Sequence, residues 1–185
     1  MMLHLHFVLL LLLTSVIGPE PEVTQHYRKG LVCDDIVTEI ENREVACEIE
    51  RAFREEGFED PLIRAALLNS YAESKFNPKA VGDNGNSKGV FQLNRKGLGS
   101  RMTDKEKHDV RSSVRRVAIA IRKSPKLTKA IEDGEGSKKL TELFCTEIMR
   151  PSHKFEKARA RGQMDEELFR TPAAERGFGE GGSKS

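Results

Sequence analysis

The residues able to do chemistry concentrate between Tyr71 and Leu93, in the run YAESKFNPKAVGDNGNSKGVFQL. One carboxylate, Glu73, stands at the C-terminal end of a largely apolar stretch with helical spacing. It is followed by a loop whose glycines allow close backbone approach. A carboxyl held against an apolar wall, near the negative end of a helix dipole, is disfavoured in its ionised form by both influences. A carboxyl that keeps its proton can serve as a general acid, protonating an oxygen as its bond breaks. The plain alternative is a solvated surface glutamate at a helix end. No CxxC or Cys/His spacing marks a metal site, and neither metal nor organic cofactor is expected.

Read as an ordered motif, the same run resembles the catalytic segment of the lysozyme-like superfamily, in particular soluble lytic transglycosylases and related phage tail lysozymes. The matching elements are Glu73-Ser74, Phe76-Asn77-Pro78, Ala80, and Gly89-Val90-Phe91-Gln92-Leu93. The loop GDNGNSKG is similar to the Gly-Asp-x-Gly-x-Ser-x-Gly form of phage enzymes, and LFCTEIMRPSHKFEKARARG more loosely resembles the helix and Arg-Pro that close some of them. The resemblance implies a small, mainly helical α+β domain that cleaves peptidoglycan glycan strands. It implies that Glu73 protonates the glycosidic oxygen between N-acetylmuramic acid and N-acetylglucosamine through an oxocarbenium-like state. A lytic transglycosylase needs no second carboxylate, because the substrate's own 6-hydroxyl attacks. The alternatives are a hydrolysing muramidase with the same acid, and a catalytically silent glycan-binding or virion-associated protein of the same fold.

The other site residues follow from the same resemblance. Gln92 is expected to contact substrate from the cleft floor, and Phe91 stands where a methionine is common, as cleft wall that also keeps Glu73 dry. Asp83 is either a base for a hydrolytic water or, the favoured reading, a fixture of the tight loop. Ser87 either meets the sugar acetamido group or caps a turn, and Ser74 is read as a cap on the helix end. The Ala-Tyr-Asn-Ala-Gly motif of many bacterial transglycosylases is absent. With only Tyr27 and Tyr71 in the chain, the tyrosine hydroxyl that usually helps hold the acid has no candidate.

The elements that must position these residues can be read from periodicity. DDIVTEIENREVACEIERAFREEGF predicts a long first helix from Asp34, ended by Gly57. Asp60-Pro61 opens a second helix through about Ser74, stopped by Asn77-Pro78, and Lys79 to Lys88 is a loop or small hairpin. Thr103 and Glu106 form a capping box before a helix to about Lys123. Ser137 to Met149 is helical, and Pro151 opens a last helix to about Arg161. The basic residues Arg111, Arg115, Arg116, Arg122 and Lys123 form a solvated helix face or a contact for anionic cell-wall polymer. His108 and His153 read as surface residues.

The remaining sequence bounds the context. Residues 1–18, MMLHLHFVLLLLLTSVIG, read as a signal peptide or N-terminal anchor, 19–30 as a linker, 31–165 as the lysozyme-like domain and 166–185 as a disordered Gly/Ser-rich tail. The expected product is secreted or periplasmic, with membrane contact only through an uncleaved leader, and a monomer. With 31 basic and 29 acidic side chains well mixed in 185 residues, composition carries no field for gripping nucleic acid. Three cysteines in an oxidising compartment imply one disulfide and one free thiol. If the first helix begins at Asp34, Cys33 and Cys47 lie about 20 Å apart along its axis, beyond disulfide reach. Cys47 to Cys145 is then the expected pair, with three reduced thiols as the alternative.

Overall fold

The computed structural model of the protein describes residues 32–36, 43–151 and 154–169. The expected leader and linker lie outside the described residues, as does His153. The architecture is mainly helical with one small three-stranded antiparallel sheet, as expected. Among the described residues no helix is long and apolar enough to cross a membrane.

Helix α1 (Arg43–Glu55) buries Ala46, Ile49, Glu50, Ala52 and Phe53 along one side. Its end is a Schellman motif: Gly57, at φ 81°, donates to Arg54 O at 2.8 Å, and Phe58 N–H reaches Phe53 O at 3.1 Å. The Phe53 and Phe58 rings meet at 5.8 Å and supply the motif's apolar contact. The reversal delivers the chain to helix α2 (Asp60–Ser74), with Pro61 in the first turn and Glu59, not Asp60, at the cap position. Leu62, Ile63 and every residue from Ala65 to Ser70 in α2 are buried. A helix buried all round is the centre of a core rather than its edge.

The strands β1 (Val81–Gly82), β2 (Ser87–Lys88) and β3 (Leu93–Asn94) form the sheet in sequence order, β1 and β2 joined by a tight turn. Helix α3 (Asp104–His108) carries the expected Thr103/Glu106 capping box. It stops after one turn, because Asp109 adopts an extended conformation and its carboxylate accepts from Ser112 N–H at 2.8 Å, capping a separate helix α4 (Val110–Arg122). Ser124 and Pro125 open helix α5 (Pro125–Glu132) in the same way, an element that periodicity did not reveal. Helix α6 (Ser137–Leu143) widens into a π-helical turn, Phe144–Met149, and helix α7 (Lys154–Leu168) closes the described chain. Helices α6 and α7 pack on α2 and on each other, and α4 packs on α1. The rings of Phe53, Phe91 and Phe144 run through the centre at 6.1 and 6.2 Å, joining α1, the loop after β2 and the π-turn.

Several expectations are corrected. The first helix begins at Arg43, not Asp34, and Val32–Asp35 is a separate 3-10 turn. Cys33 is therefore not one end of a rod. Its Cα lies 5.2 Å from that of Cys47, the two form the disulfide, and Cys145 is free and buried, so the Cys47–Cys145 pairing is wrong. The strap is held further by Glu50, fully buried on α1. Its carboxylate accepts from Val32 N–H at 3.0 Å, Cys33 N–H at 2.7 Å and Arg54 at 2.6 Å. Helix α7 passes the expected tail boundary at 165, and Phe169 pairs with Ile36 across an antiparallel bridge while Arg64 stacks over its ring. Residues 170–185 lie outside the described residues.

The disulfide closes a short loop, so the double variant Cys33→Ser/Cys47→Ser should lose about 3 kcal/mol of stability in chemical denaturation. Burial pushes the Cys145 thiol up, so alkylating reagents should modify it only after unfolding. Non-reducing peptide maps should link Cys33 to Cys47; a Cys47–Cys145 peptide would contradict the pairing.

Candidate functional site

The site is built where α2 runs out. Lys75 and Phe76 both take left-handed conformations (φ 55° and 61°), reversing the chain within two residues. Non-glycine residues there are strained and persist only when their surroundings hold them. The hold here is burial of the Phe76 ring, which is inaccessible to solvent and lies 5.4 Å from Tyr71. Glu73 is thereby left in the last turn of a rigid helix, its side chain 20% exposed.

The sheet is fastened to the same helix end by two hydroxyls. Ser70 Oγ and Ser74 Oγ, one turn apart, both donate to Val90 O, at 3.1 and 2.9 Å. Ser74 thus ties the loop to the helix rather than capping it. Behind β2, Gly89 (φ 77°) presses on α3 so closely that a Cβ would stand 1.8 Å from Lys107 O. His108 is no free surface residue: its Nδ1 lies 2.7 Å from Pro78 O, joining α3 to the loop after Glu73.

Within the loop, Asp83 accepts from the Ser87 hydroxyl and, at 3.3 Å, from Asn94 Nδ2, which also donates to Ser87 Oγ at 3.0 Å. This triangle joins β2 and β3 to the turn that follows β1 and spends the Ser87 proton. Asp83 and Asn84 are both left-handed (φ 49° and 53°), which side chains of this type tolerate best. Gln92 (φ 45°) donates from Nε2 to Gly89 O at 3.1 Å, and its Oε1 lies over Gly82, where a Cβ would come within 2.3 Å. Phe91 is buried, its ring between Phe53 and Phe144.

A cleft of about 960 Å³ gathers these groups. Glu73, Asp83, Ser87, Phe91 and Gln92 all line it, together with residues of α4, the start of α5 and the segment from Glu147 to Pro151. Five cations face it: Lys96, Arg116, Lys123, Arg150 and Lys157. The basic face of α4 is thus divided. Arg111 pairs with Glu55, and Arg115 and Arg122 pair with Glu56, across α1. Only Arg116 and Lys123 turn to the cleft, Arg116 being anchored on Leu98 O at 2.7 Å.

Sequence reasoning missed the partner of Glu73. Arg161, on α7, donates from Nη2 to Glu73 Oε1 at 2.8 Å and from Nη1 to Asn69 Oδ1 at 2.8 Å. The apolar surroundings expected for Glu73 are therefore broken by a buried cation. Eighty-eight residues separate acid and arginine, and no local spacing announces such a pair. A signal for it is Asn69, an amide four positions before Glu73 on the same helix, since a buried amide requires partners.

A protein-family model described as phage tail lysozyme matches residues 44–171, which begin in α1 and extend past α7. No match was found among curated proteins or among solved structures.

Removing both hydroxyls that hold Val90 O should loosen the loop from the helix. The double variant Ser70→Ala/Ser74→Ala should lose about 1–3 kcal/mol in denaturant titration. Thermal stability equal to the parent's would show that the tie is dispensable.

Proposed function

The chain belongs to the phage tail lysozyme family, and from that premise we propose that it is a lytic transglycosylase cleaving the bond between N-acetylmuramic acid and N-acetylglucosamine in peptidoglycan, with Glu73 as general acid and then base. The family points to peptidoglycan-lytic, lysozyme-like activity outside the cytoplasm, whether secreted, periplasmic or virion-associated. The observation that carries the acid assignment is the placement of the Glu73 carboxyl in the cleft wall, and the engagement of Asp83 favours the transglycosylase over a hydrolase. Arg161 engages Oε1, and Oε2 makes no hydrogen bond among the described residues.

In the proposed reaction Glu73 gives its proton to the glycosidic oxygen as that oxygen takes the electron pair of its bond to C1 of the muramyl residue. The 6-hydroxyl of the same sugar then bonds to C1 and returns its proton to Glu73. The product is a 1,6-anhydro end, and no water is consumed. Asp83 is the nearest thing to a second carboxylate in the loop, and a hydrolysing muramidase would use it to activate water. Its engagement by Ser87 and Asn94 supports the loop-fixing role instead. Gln92, with its Oε1 unbonded among the described residues, is read as a donor and acceptor for substrate on the cleft floor. Phe91 keeps the wall dry, and Ser87 acts through Asp83. The domain is taken to run from about 31 through Phe169, behind a leader that exports it and ahead of a tail.

Peptidoglycan is anionic through the carboxylates of its peptide stems, and five cations line the cleft. Exposed charges of this kind act through a screened field, so KM should rise with ionic strength. Lys123→Gln should blunt that dependence while changing kcat little.

Mass spectrometry of muropeptides released by the parent and by Glu73→Gln tests the chemistry. Anhydro ends from the parent, and a loss of at least about a hundredfold in the variant, are expected. Reducing ends would indicate a hydrolase, and glycan binding without release by either protein would indicate a silent binder of the same fold.

A further inference from the structure

Arg161 is the feature for which neither the sequence motif nor the reading of the cleft has a use. It is buried, with 8% of its side chain exposed, and burying a guanidinium is costly unless it is paired and hydrogen-bonded. Both of its terminal nitrogens are engaged, and on different targets. Nη2 meets Glu73 Oε1, and Nη1 meets Oδ1 of Asn69, each at 2.8 Å. Asn69 is itself fully buried and fixed, its Nδ2 donating to Ala65 O at 2.8 Å and to Thr141 O at 3.2 Å. Asn69 and Glu73 are four residues apart and share one face of α2. One planar fork therefore spans two side chains a helical turn apart, and its stem comes from a different helix. Lysine carries the charge on one nitrogen and lacks the planar fork whose two separated nitrogens make these contacts.

We propose that Arg161 is the positioning residue of Glu73, a role that rests on Glu73 being the acid. By holding Oε1, the guanidinium fixes the orientation of the carboxyl and leaves Oε2, which has no hydrogen-bond partner among the described residues, as the oxygen that exchanges a proton with substrate in the cleft. The carboxylate left by proton transfer finds a hydrogen-bonded cation already in place, so no group has to reorganise as charge develops on Glu73. Asn69 fixes the guanidinium from behind, and Thr141 O ties that support to α6. The place of a hydroxyl that holds the acid is taken here by an arginine from the last helix; the Tyr71 ring is engaged by Phe76 and by the Lys75 ammonium instead. This arrangement makes α7 part of the catalytic apparatus, and α7 is in turn tied to the disulfide-bonded strap through the Ile36–Phe169 bridge.

The test compares the full-length protein with Arg161→Gln, Arg161→Lys and Glu73→Gln on soluble glycan-chain substrates, with circular dichroism to establish folding. A displaced acid loses chemistry rather than binding. Expected are a kcat lowered about a hundredfold in Arg161→Gln, a smaller loss of about tenfold in Arg161→Lys, which keeps the charge but not the fork, and KM within about threefold of the parent in both. If Arg161→Gln does not fold, folded Arg161→Lys decides alone. Parental kcat in a folded Arg161 variant, or a loss confined to KM, overturns the proposal when Glu73→Gln is inactive. Activity retained by Glu73→Gln would instead remove the acid assignment on which the proposal rests.

Discussion

Helix α2 is covered on every side, and that constraint organises the molecule. A helix with no free face can offer a functional group to solvent only at its ends, and Glu73 stands in its last turn. The neighbours that cover it also set the position of that end. Helices α6 and α7 cover its flanks and bring Arg161 to Glu73, while α1 covers another side and anchors the N-terminal strap. The loop after β2 is fastened across its end through Val90 O. Burial here fixes the position of one carboxyl as well as stabilising the fold.

The polar groups inside this core are the points where separate stretches of chain meet. Glu50 gathers two backbone N–H groups of the strap and the Arg54 guanidinium, and Asn69 gathers α2, α6 and α7. Each is satisfied, as it must be when exposed to no water. Apolar contacts tolerate small slips between elements, whereas a hydrogen-bonded amide or carboxylate accepts only one register. The sheet follows the same logic on a smaller scale. Its three strands are only two residues each, too short to hold by backbone pairing alone, and the Asp83–Ser87–Asn94 triangle supplies the cross-link.

The cleft combines an acid on a rigid helix with a group of cations. Glu73 and the hairpin line it together with cations contributed by α4, α7, the segment after β3 and the segment after the π-turn. Four of the five cations lie between residues 116 and 157, outside the motif around Glu73. A carboxyl on a rigid helix, in a cleft also lined by cations, suits a substrate with neutral sugars along its backbone and carboxylates on its branches.

What the sequence by itself determined was local. The order Glu73-Ser74, Phe76-Asn77-Pro78, Gly89 to Leu93 carried the family, and the helical periods of α1, α2 and α4 carried the mainly helical class. Gly57, Pro61, Thr103 and Glu106 marked element boundaries within a few residues, because caps and turns are decided by contacts between near neighbours. Tertiary structure alone decided which cysteines meet, since Cys33 lies in a separate 3-10 turn beside α1 where membership of one continuous helix would have kept it from Cys47. It alone decided that Arg116 and Lys123 face the cleft while Arg111, Arg115 and Arg122 bind α1. It alone set Arg161 against Glu73, because a buried ion pair depends on where two helices cross, and that crossing is set by the packing of all the elements around α2.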